Sequence, residues 1–436
     1  MRFPLLTFLL VLVGALQVPR ALEAQLNAEE QDIAMYLEQH SAEAVALLER
    51  IVNVNSGTMN FEGNREVAEI LIPEFEALGF DTRWVALPDA LDRSGHLVAV
   101  REGTRGKRLL LIGHLDTVFE EGDPFQTFAR DGATATGPGI GDMKGGDISI
   151  LFALKALNDV GALDGATIRV VMTGDEESPG RPLDQARRAL VEAAELSDVA
   201  LGFEGGSRSG DTEYAVVARR SSSNWTLRVS GIQAHSSGIF SEATGAGAIF
   251  ETARILSAFY EEVRGEQYLT FNAGSILGGT EVDYDPKATK GTAFGKTNVV
   301  PNSATVHGGI RTISQDQLES ARDRMSAVVA RSLPGTSATI EFADGYPSMP
   351  PTAGNQALLD QYSEGSVDLG HGPITPFDPG ARGAADVSFV ASLVEASMDG
   401  MGPHGSGSHT PDESMDLESW PVTMQRAAIL IYRLTR

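Results

Sequence analysis

The chain has 436 residues, with 34 Lys and Arg against 59 Asp and Glu, a formal net charge of −25, and no Cys. That length suffices for a large core and two domains, and 42% hydrophobic with 21% charged residues reads as globular. The acidity argues against a nucleic-acid binder, which needs a basic face. It also argues against docking on anionic lipid, and the missing Cys rules out disulfides, thiolate metal ligands and a lipoprotein anchor.

The N-terminus reads "MRFPLLTFLLVLVGALQVPRALEAQ". A short basic start at Arg2 precedes an apolar run, 3–16, that is too short to span a bilayer comfortably. Small residues follow, so residues 1–24 read as a secretory signal peptide cut after Ala24 or Ala21, and the mature protein is expected to be periplasmic or secreted. An uncleaved anchor is the alternative. Removing Arg2, Arg20 and Glu23, a net +1, takes the mature chain from −25 to −26. No later segment is long and apolar enough to cross a membrane, so no membrane partner is expected after cleavage.

Residues 28–52 show helical periodicity, and 64–79 predict a helix closed by Gly79. "HLVAVRE" predicts a strand. "KRLLLIGHLDT" predicts an inner strand buried on both faces, ending at Gly113. "GDISILFALKALNDVG" reads as a helix, "ATIRVVMTGDEE" as a second buried strand, "RPLDQARRALVEAAEL" as a helix and "DVALGFEGG" as a further strand. Strands alternating with helices imply an α/β domain whose sheet is mixed and mostly parallel, with helices on both faces.

Over about residues 219–344 the order becomes β-α-β-β-α-β. That is a ferredoxin-like arrangement: a four-stranded antiparallel sheet with two helices on one face. The tail, 345–436, reads as mixed loops with helices at "GAADVSFVASLV" and "PVTMQRAAILIYRL". The simplest organisation is one α/β domain, 25–218 and 345–436, interrupted by a domain at 219–344.

The apolar strands end in imidazoles and acids. "LLLIGHLDT" delivers His114 and Asp116, "GPGIGDMKGG" Asp142, "VVMTGDEES" Glu176 and Glu177, and "ALGFEGG" Glu204; "GSGSHTPDE" adds His409. Ligands of open α/β sheets collect outside the carboxyl ends of the strands. Each signal alone has a plainer reading: His-x-Asp as a hydrogen-bonded turn, Asp175-Glu176-Glu177 as a solvated turn, the Gly-rich loops as flexible connections. "GPGIGDMKGGD" lacks the Gly-Lys-Ser/Thr ending of a phosphate cradle. The conjunction of five such segments points to a metal centre, and an imidazole and carboxylate set without thiolate suits zinc, cobalt or manganese. No Gly-x-Ser-x-Gly elbow and no His-Glu-x-x-His helix is present, which argues against a serine hydrolase and a zincin.

In this order, His114-x-Asp116, Gly141-Asp142-Met143-Lys144-Gly145-Gly146, Glu176-Glu177, Glu204 and His409 resemble the co-catalytic zinc metallopeptidase family of glutamate carboxypeptidase, aminoacylase and succinyl-diaminopimelate desuccinylase. The resemblance runs over nearly the whole mature chain and is nearest to its glutamate carboxypeptidase-like members. It implies two zinc ions bridged by Asp142, one completed by His114 and Glu204, the other by Glu177 and His409. Asp116 would hydrogen-bond His114, and Glu176 would be the general base; sequence alone does not say which of Glu176 and Glu177 is ligand and which is base. Asp175 is expected to be a solvated or capping residue without a role. A cis peptide is implied at Asp142–Met143.

The same resemblance makes 219–344 a lid and dimerisation domain whose His235 reaches the neighbouring subunit's site, with Gly245-Ala246-Gly247 suited to close packing. Asn298 and Arg311 would grip a free carboxylate, and Gly383 would open the last helix of the substrate pocket. It therefore implies an amide hydrolase and homodimer acting on a peptide C-terminus, with an N-acyl-amino-acid amidohydrolase or a dipeptidase of the same family as alternatives. A catalytically silent binding protein of the same fold is the alternative from another class. Two positions depart from the pattern. Gly309 stands where the family often has Asp, and Glu204 where glutamate carboxypeptidase proper has Asp.

Overall fold

Apolar runs bounded by glycine build the central sheet of the computed structural model, which describes residues 26–286 and 288–436. The expected leader, 1–24, lies outside the described residues. Six strands lie in the order Asp81–Ala86, Gly95–Arg101, Ala166–Thr173, Arg105–His114, Val199–Gly202 and Ala396–Met398. The first two pairings are antiparallel and the other three parallel, so the sheet is mixed and mainly parallel.

Arg105–His114 has strands on both sides, and Ala166–Thr173 is buried throughout. Their side chains alternate between two cores. Leu109, Leu111, Ile168 and Val170 face the helices Ala28–Gln39, Gly145–Asp159 and Trp420–Leu434, whereas Leu110, Ile112 and Val171 face the helix Arg188–Glu195. Each such side chain contributes about 1.5–3 kcal/mol on burial. That anchors the strand ends from which the polar residues emerge.

Local chemistry sets the helix bounds. Asn27 and Glu30 form a capping box at the start of Ala28–Gln39. The periodic stretch 28–52 is two helices, Ala28–Gln39 and Ser41–Val52, parted at His40. The stretch 181–196 is likewise broken at Arg187, into Leu183–Ala186 and Arg188–Glu195.

Residues 222–346 form a second sheet, ordered Thr270–Gly279, Ser303–Arg311, Ser222–Gly231, Thr336–Tyr346, antiparallel throughout. The helices Ala248–Glu262 and Gln315–Val329 share one hydrophobic cluster with it, so the β-α-β-β-α-β order expected from sequence is the order observed. An unforeseen hairpin, Glu281–Asp285 with Lys290–Phe294, interrupts it. The glycines of 245–247 are explained within the chain: Gly245 has φ +70°, and a Cβ there would lie 1.9 Å from Pro334 O.

The tail differs from expectation. Ala353–Asp368 is a helix that periodicity missed, because Gly354, Gly365, Asn355 and Ser366 weaken its propensity. Thr352 caps it, and Leu358, Leu359 and Tyr362 bury its apolar side. The helix expected at 383–394 is only a 3-10 turn, Asp386–Phe389, where the Asp386 carboxylate is drawn into a buried ion pair.

Candidate active site

The strand Arg105–His114 ends at His114, and the loop after Ala166–Thr173 carries Glu176 and Glu177. Glu204 follows Val199–Gly202, and Asp142 precedes the helix Gly145–Asp159. His409 enters from a C-terminal loop with φ +64°, a left-handed backbone that costs a non-glycine residue roughly 1–3 kcal/mol and is common at functional sites.

These five elements converge. His114 Nε2 lies 3.2 Å from Asp142 Oδ1 and 3.7 Å from Glu204 Oε1. His409 Nε2 lies 3.2 Å from Asp142 Oδ2 and 3.1 Å from Glu177 Oε2. Two donor groups result, His114-Asp142-Glu204 and Asp142-Glu177-His409, each with its ligand atoms within 4.8 Å of one another. Asp142 belongs to both, and the Asp142–Met143 peptide is cis.

The electrostatics call for cations. Burial, then Asp142, pushes the Glu204 carboxyl up to about 8. Burial, then Asp386, drives Glu176 well above the carboxylate range. Hydrogen bonds to Asp142 and Glu177 raise His409 to about 11. Burial opposes a charged His114, but Asp142 and Glu204 outweigh it and raise its pKa. Glu177 Oε1 is buried without a hydrogen-bond partner among the described residues. Two divalent ions fit this donor set, which is nitrogen and oxygen only.

Asp116 is fully buried, but its principal bonds differ from expectation. His114 Nδ1 faces the Asp116 main-chain oxygen at 3.0 Å and the carboxylate only at 3.6 Å. The carboxylate instead accepts from Thr58 Oγ1 (2.6 Å), Glu176 N (2.9 Å) and Glu177 N (3.1 Å), and so fixes the Glu176-Glu177 turn.

The reading of Asp175 as solvated is wrong. Asp175 is 0% exposed, and its Oδ1 accepts from Arg187 Nη1 at 2.6 Å. Arg187, equally buried, donates Nε to Asp386 Oδ1 (2.6 Å) and Nη2 to the Tyr346 hydroxyl (2.8 Å), and that hydroxyl donates to Glu176 O at 2.8 Å. Glu176 is thus held at its N–H by Asp116 and at its C=O by Tyr346. A turn with three acids had no visible counter-charge in sequence. The signal was the arginine pair in "DQARRAL", which breaks the helix it sits in.

Two further supports escaped sequence reading. Glu413 accepts from the N–H groups of Gly139, Gly141 and Asp142, at 3.1, 2.9 and 3.0 Å, holding the loop that presents Asp142; it stands in the "HTPDE" stretch from which only His409 was taken. Arg219 pairs with Asp399 at 2.7 Å and donates to Gly383 O at 2.8 Å, while Glu204 N donates to Asp399 Oδ1 at 3.3 Å.

The remaining predicted residues lie apart. His235 is exposed, its ring Nδ1 bonds Ser237, and Ser236 N donates to Asn298 O. Both lie beyond one end of the antiparallel sheet, whereas Arg311 ends the strand Ser303–Arg311 at the other. The strand has nine residues, and its eight steps of about 3.3 Å separate the ends by roughly 26 Å. Asn298 and Arg311 of one chain therefore cannot grip the same carboxylate. Gly383 is exposed beside this second end, where its carbonyl accepts from Arg219.

A sheet whose strand ends gather two such donor groups around one shared aspartate defines a metal-dependent hydrolase. Residues 110–433 match the family model described as "Peptidase family M20/M25/M40", and the chain belongs to that family. It is 28% identical over 402 residues to carboxypeptidase G2 of Pseudomonas sp. (strain RS-16), covering 89% of each chain. It is 26% identical over 366 residues to succinyl-diaminopimelate desuccinylase of Gluconobacter oxydans (strain 621H), covering 80% of this chain and 87% of that one. The fold matches aminopeptidase PepT from Bacillus cereus at TM-score 0.71 and 17% identity, covering 91% of this chain and 99% of that one. It also matches a dinuclear metal-binding peptidase of Bacillus subtilis at TM-score 0.62 and 16% identity, covering 91% and 99%.

Proposed function

We propose that this protein is an exported metallo-carboxypeptidase, periplasmic or secreted, that uses two zinc ions to hydrolyse the amide bond of a C-terminal amino acid. The observation that carries this reading is the pair of donor groups sharing Asp142, with Glu176, a partly buried glutamate that neither group uses, on the same turn as Glu177. The similarity to carboxypeptidase G2 over most of both chains supports the carboxypeptidase branch. Glu204 in place of Asp keeps an N-acyl-amino-acid amidohydrolase as the second reading.

His114, Asp142, Glu177, Glu204 and His409 would hold the metal, with cobalt or manganese as chemically suitable substitutes for zinc. Bound divalent ions supply Lewis acidity and a water acidic near pH 7. Glu176 takes the proton of the attacking water and returns it to the leaving amine. Asp116 and Tyr346 keep the Glu176 peptide in place for both transfers. The antiparallel domain acts as a lid, and Arg311 binds the free carboxylate of the substrate.

The same reading makes the protein a homodimer joined through the lids. His235 and Asn298 lie too far from Arg311 to serve one small substrate in their own chain, so they would complete the site of the partner. The exposed Phe240 and Phe250, with ring centroids 5.5 Å apart, supply an apolar surface in this domain.

The test uses protein stripped with chelator, reloaded with zinc, and incubated with C-terminally varied dipeptides and N-acyl amino acids, with released amino acids followed by mass spectrometry. Metal-dependent release is expected. Glu176→Gln should retain both metals by elemental analysis and lose about 100- to 10,000-fold in kcat. Near-normal turnover in that variant removes Glu176 from the role, and no release with either zinc or cobalt rejects the hydrolase in favour of a silent binder.

A further inference from the structure

Beside the two donor groups stands an arginine with no ion pair among the described residues. Arg382 follows the 3-10 turn Pro379–Ala381 and precedes Gly383, in the loop "DPGARGAAD". Its Nη2 donates to Gly205 O at 2.6 Å. Gly205 follows Glu204, and a Cβ on it would lie 3.3 Å from the carbonyl oxygen of Gly141, the residue before Asp142. The guanidinium is therefore pinned where the loops carrying Glu204 and Asp142 meet.

The side chain is set in place but not satisfied. Its guanidinium carbon lies 5.7 Å from the centroid of the Phe377 ring, within cation–π reach, and that ring packs edge-on against Tyr214 at 5.5 Å. Nε is buried without an acceptor, and among the described residues Gly205 O is the one hydrogen-bond partner of the group.

The acids of neighbouring segments are engaged elsewhere. Asp378 accepts from Gly380 N at 2.8 Å. Asp386 accepts from Arg187 Nε at 2.6 Å and from Thr173 Oγ1 at 2.7 Å. Asp399 accepts from Arg219 Nε and from Gly400 N, both at 2.7 Å. Burial, then the Arg219 charge, lowers the Arg382 pKa, and the fields of Asp399, Glu204 and Asp142 act against them. Arginine keeps its proton all the same. Arg187 and Arg219 thus have carboxylates of their own, whereas Arg382 is left to an anion that enters. Donors kept from water without a partner cost stability until such an anion completes them.

We propose that Arg382 is a further catalytic residue, which binds the oxygen that gains charge when the amide is attacked and then the carboxylate of the acyl product. This rests on the carboxypeptidase reading above. Water adds through its oxygen to the amide carbon and gives one proton to Glu176, and the C=O π pair moves onto the carbonyl oxygen. The C–N bond then breaks, and its electron pair takes the Glu176 proton. The second proton of the water passes to the amine, so the products are a carboxylate and an ammonium. Negative charge grows at the carbonyl oxygen as the C=O bond opens, and it survives in the product. Donors fixed beforehand and aimed at such charge stabilise it most, and a guanidinium fits a carboxylate at two points.

The experiment compares zinc-loaded wild type with Arg382→Gln, Arg382→Lys and Arg228→Gln on the N-benzoyl amino acid that wild type cleaves fastest, whose acyl product is benzoate. Arg382→Gln should lose about 100-fold in kcat, as removal of one such donor does, with KM and metal content unchanged. Free guanidinium ion should restore part of that rate. Benzoate should inhibit the variant about tenfold more weakly, the effect of losing a hydrogen bond to a charged group. Arg382→Lys should fall between, because an ammonium keeps the charge without the fork. Arg228→Gln, at an exposed pair of the other domain, should match wild type. A fall in kcat that guanidinium does not relieve, joined to loss of metal or of unfolding free energy, assigns Arg382 to holding its loop and overturns the proposal.

Calorimetry with benzoate needs no turnover and separates the two ideas. Benzoate binding that Arg382→Gln abolishes, with no amide hydrolysed, supports Arg382 as the anion site and rejects the carboxypeptidase. Hydrolysis with kcat and benzoate affinity unchanged in Arg382→Gln supports the hydrolase and rejects the role of Arg382.

Discussion

At the carboxyl end of the parallel sheet, Arg187 and Arg219 are buried together with the carboxylates of Asp175, Asp386 and Asp399 that they bind. On the antiparallel sheet, Arg311 and the exposed amides of Asn224 and Asn272 have no side-chain partner among the described residues. The first arrangement completes its bonds within the chain and prearranges the Glu176 turn. The second leaves bonds to be made by whatever enters. A hydrolase needs both: fixed groups around the reacting bond, and free groups that gain a partner only from the substrate.

The largest effect on this contrast should come from Arg187→Met. It keeps volume but leaves Asp175 and Asp386 buried without a counter-charge, so a loss of about 3–5 kcal/mol in urea unfolding is expected. A loss within error would mean the network is not needed to hold the fold. Kinetics on any folded fraction should show kcat falling more than KM, since Arg187 reaches the Glu176 carbonyl through Tyr346.

His96 offers a pH test beneath the same turn. It is fully buried; its Nδ1 accepts from Gly174 N at 3.3 Å, so Nε2–H donates to Ala186 O at 2.7 Å. Burial lowers its folded pKa below 6.5. The unfolded chain then binds the extra proton first, so this contribution is complete above pH 6.5 and is lost as pH falls from 6.5 through the folded value. A His96→Gln variant should flatten that part of a stability curve recorded by thermal unfolding from pH 7.5 to 5. An unchanged slope would locate the acid sensitivity elsewhere.

The smallest effect should be on the open face of the second sheet. Arg228 and Glu341 pair at 2.6 Å but are 54% and 68% exposed, so Arg228→Gln should change unfolding free energy by less than about 1 kcal/mol. A larger loss would show that this face is more rigid than its exposure indicates.

Much of this was legible beforehand for a local reason. Buried strands such as "LLLIG" and "TIRVVMT" are continuous apolar runs, and the residue after each run must emerge at the sheet's carboxyl edge, where His114 and Glu176 are found. The helix Ala353–Asp368 was missed because its glycines and asparagine obscure the apolar stripe that packing rewards. Asp175 was misread because its partner, Arg187, is twelve residues away on a broken helix, and the cost of burying either alone is invisible until both are placed.

The sequence by itself determined the two kinds of sheet, the order of the five segments that carry imidazoles and acids, and the candidate donors, since all three follow from hydrophobic period and residue chemistry along the chain. Only the tertiary structure decided which acids are paired, and that Asn298 and Arg311 stand at opposite ends of one sheet. Those are distances between segments far apart in the chain, and electrostatic pairing depends on distance and burial rather than on order.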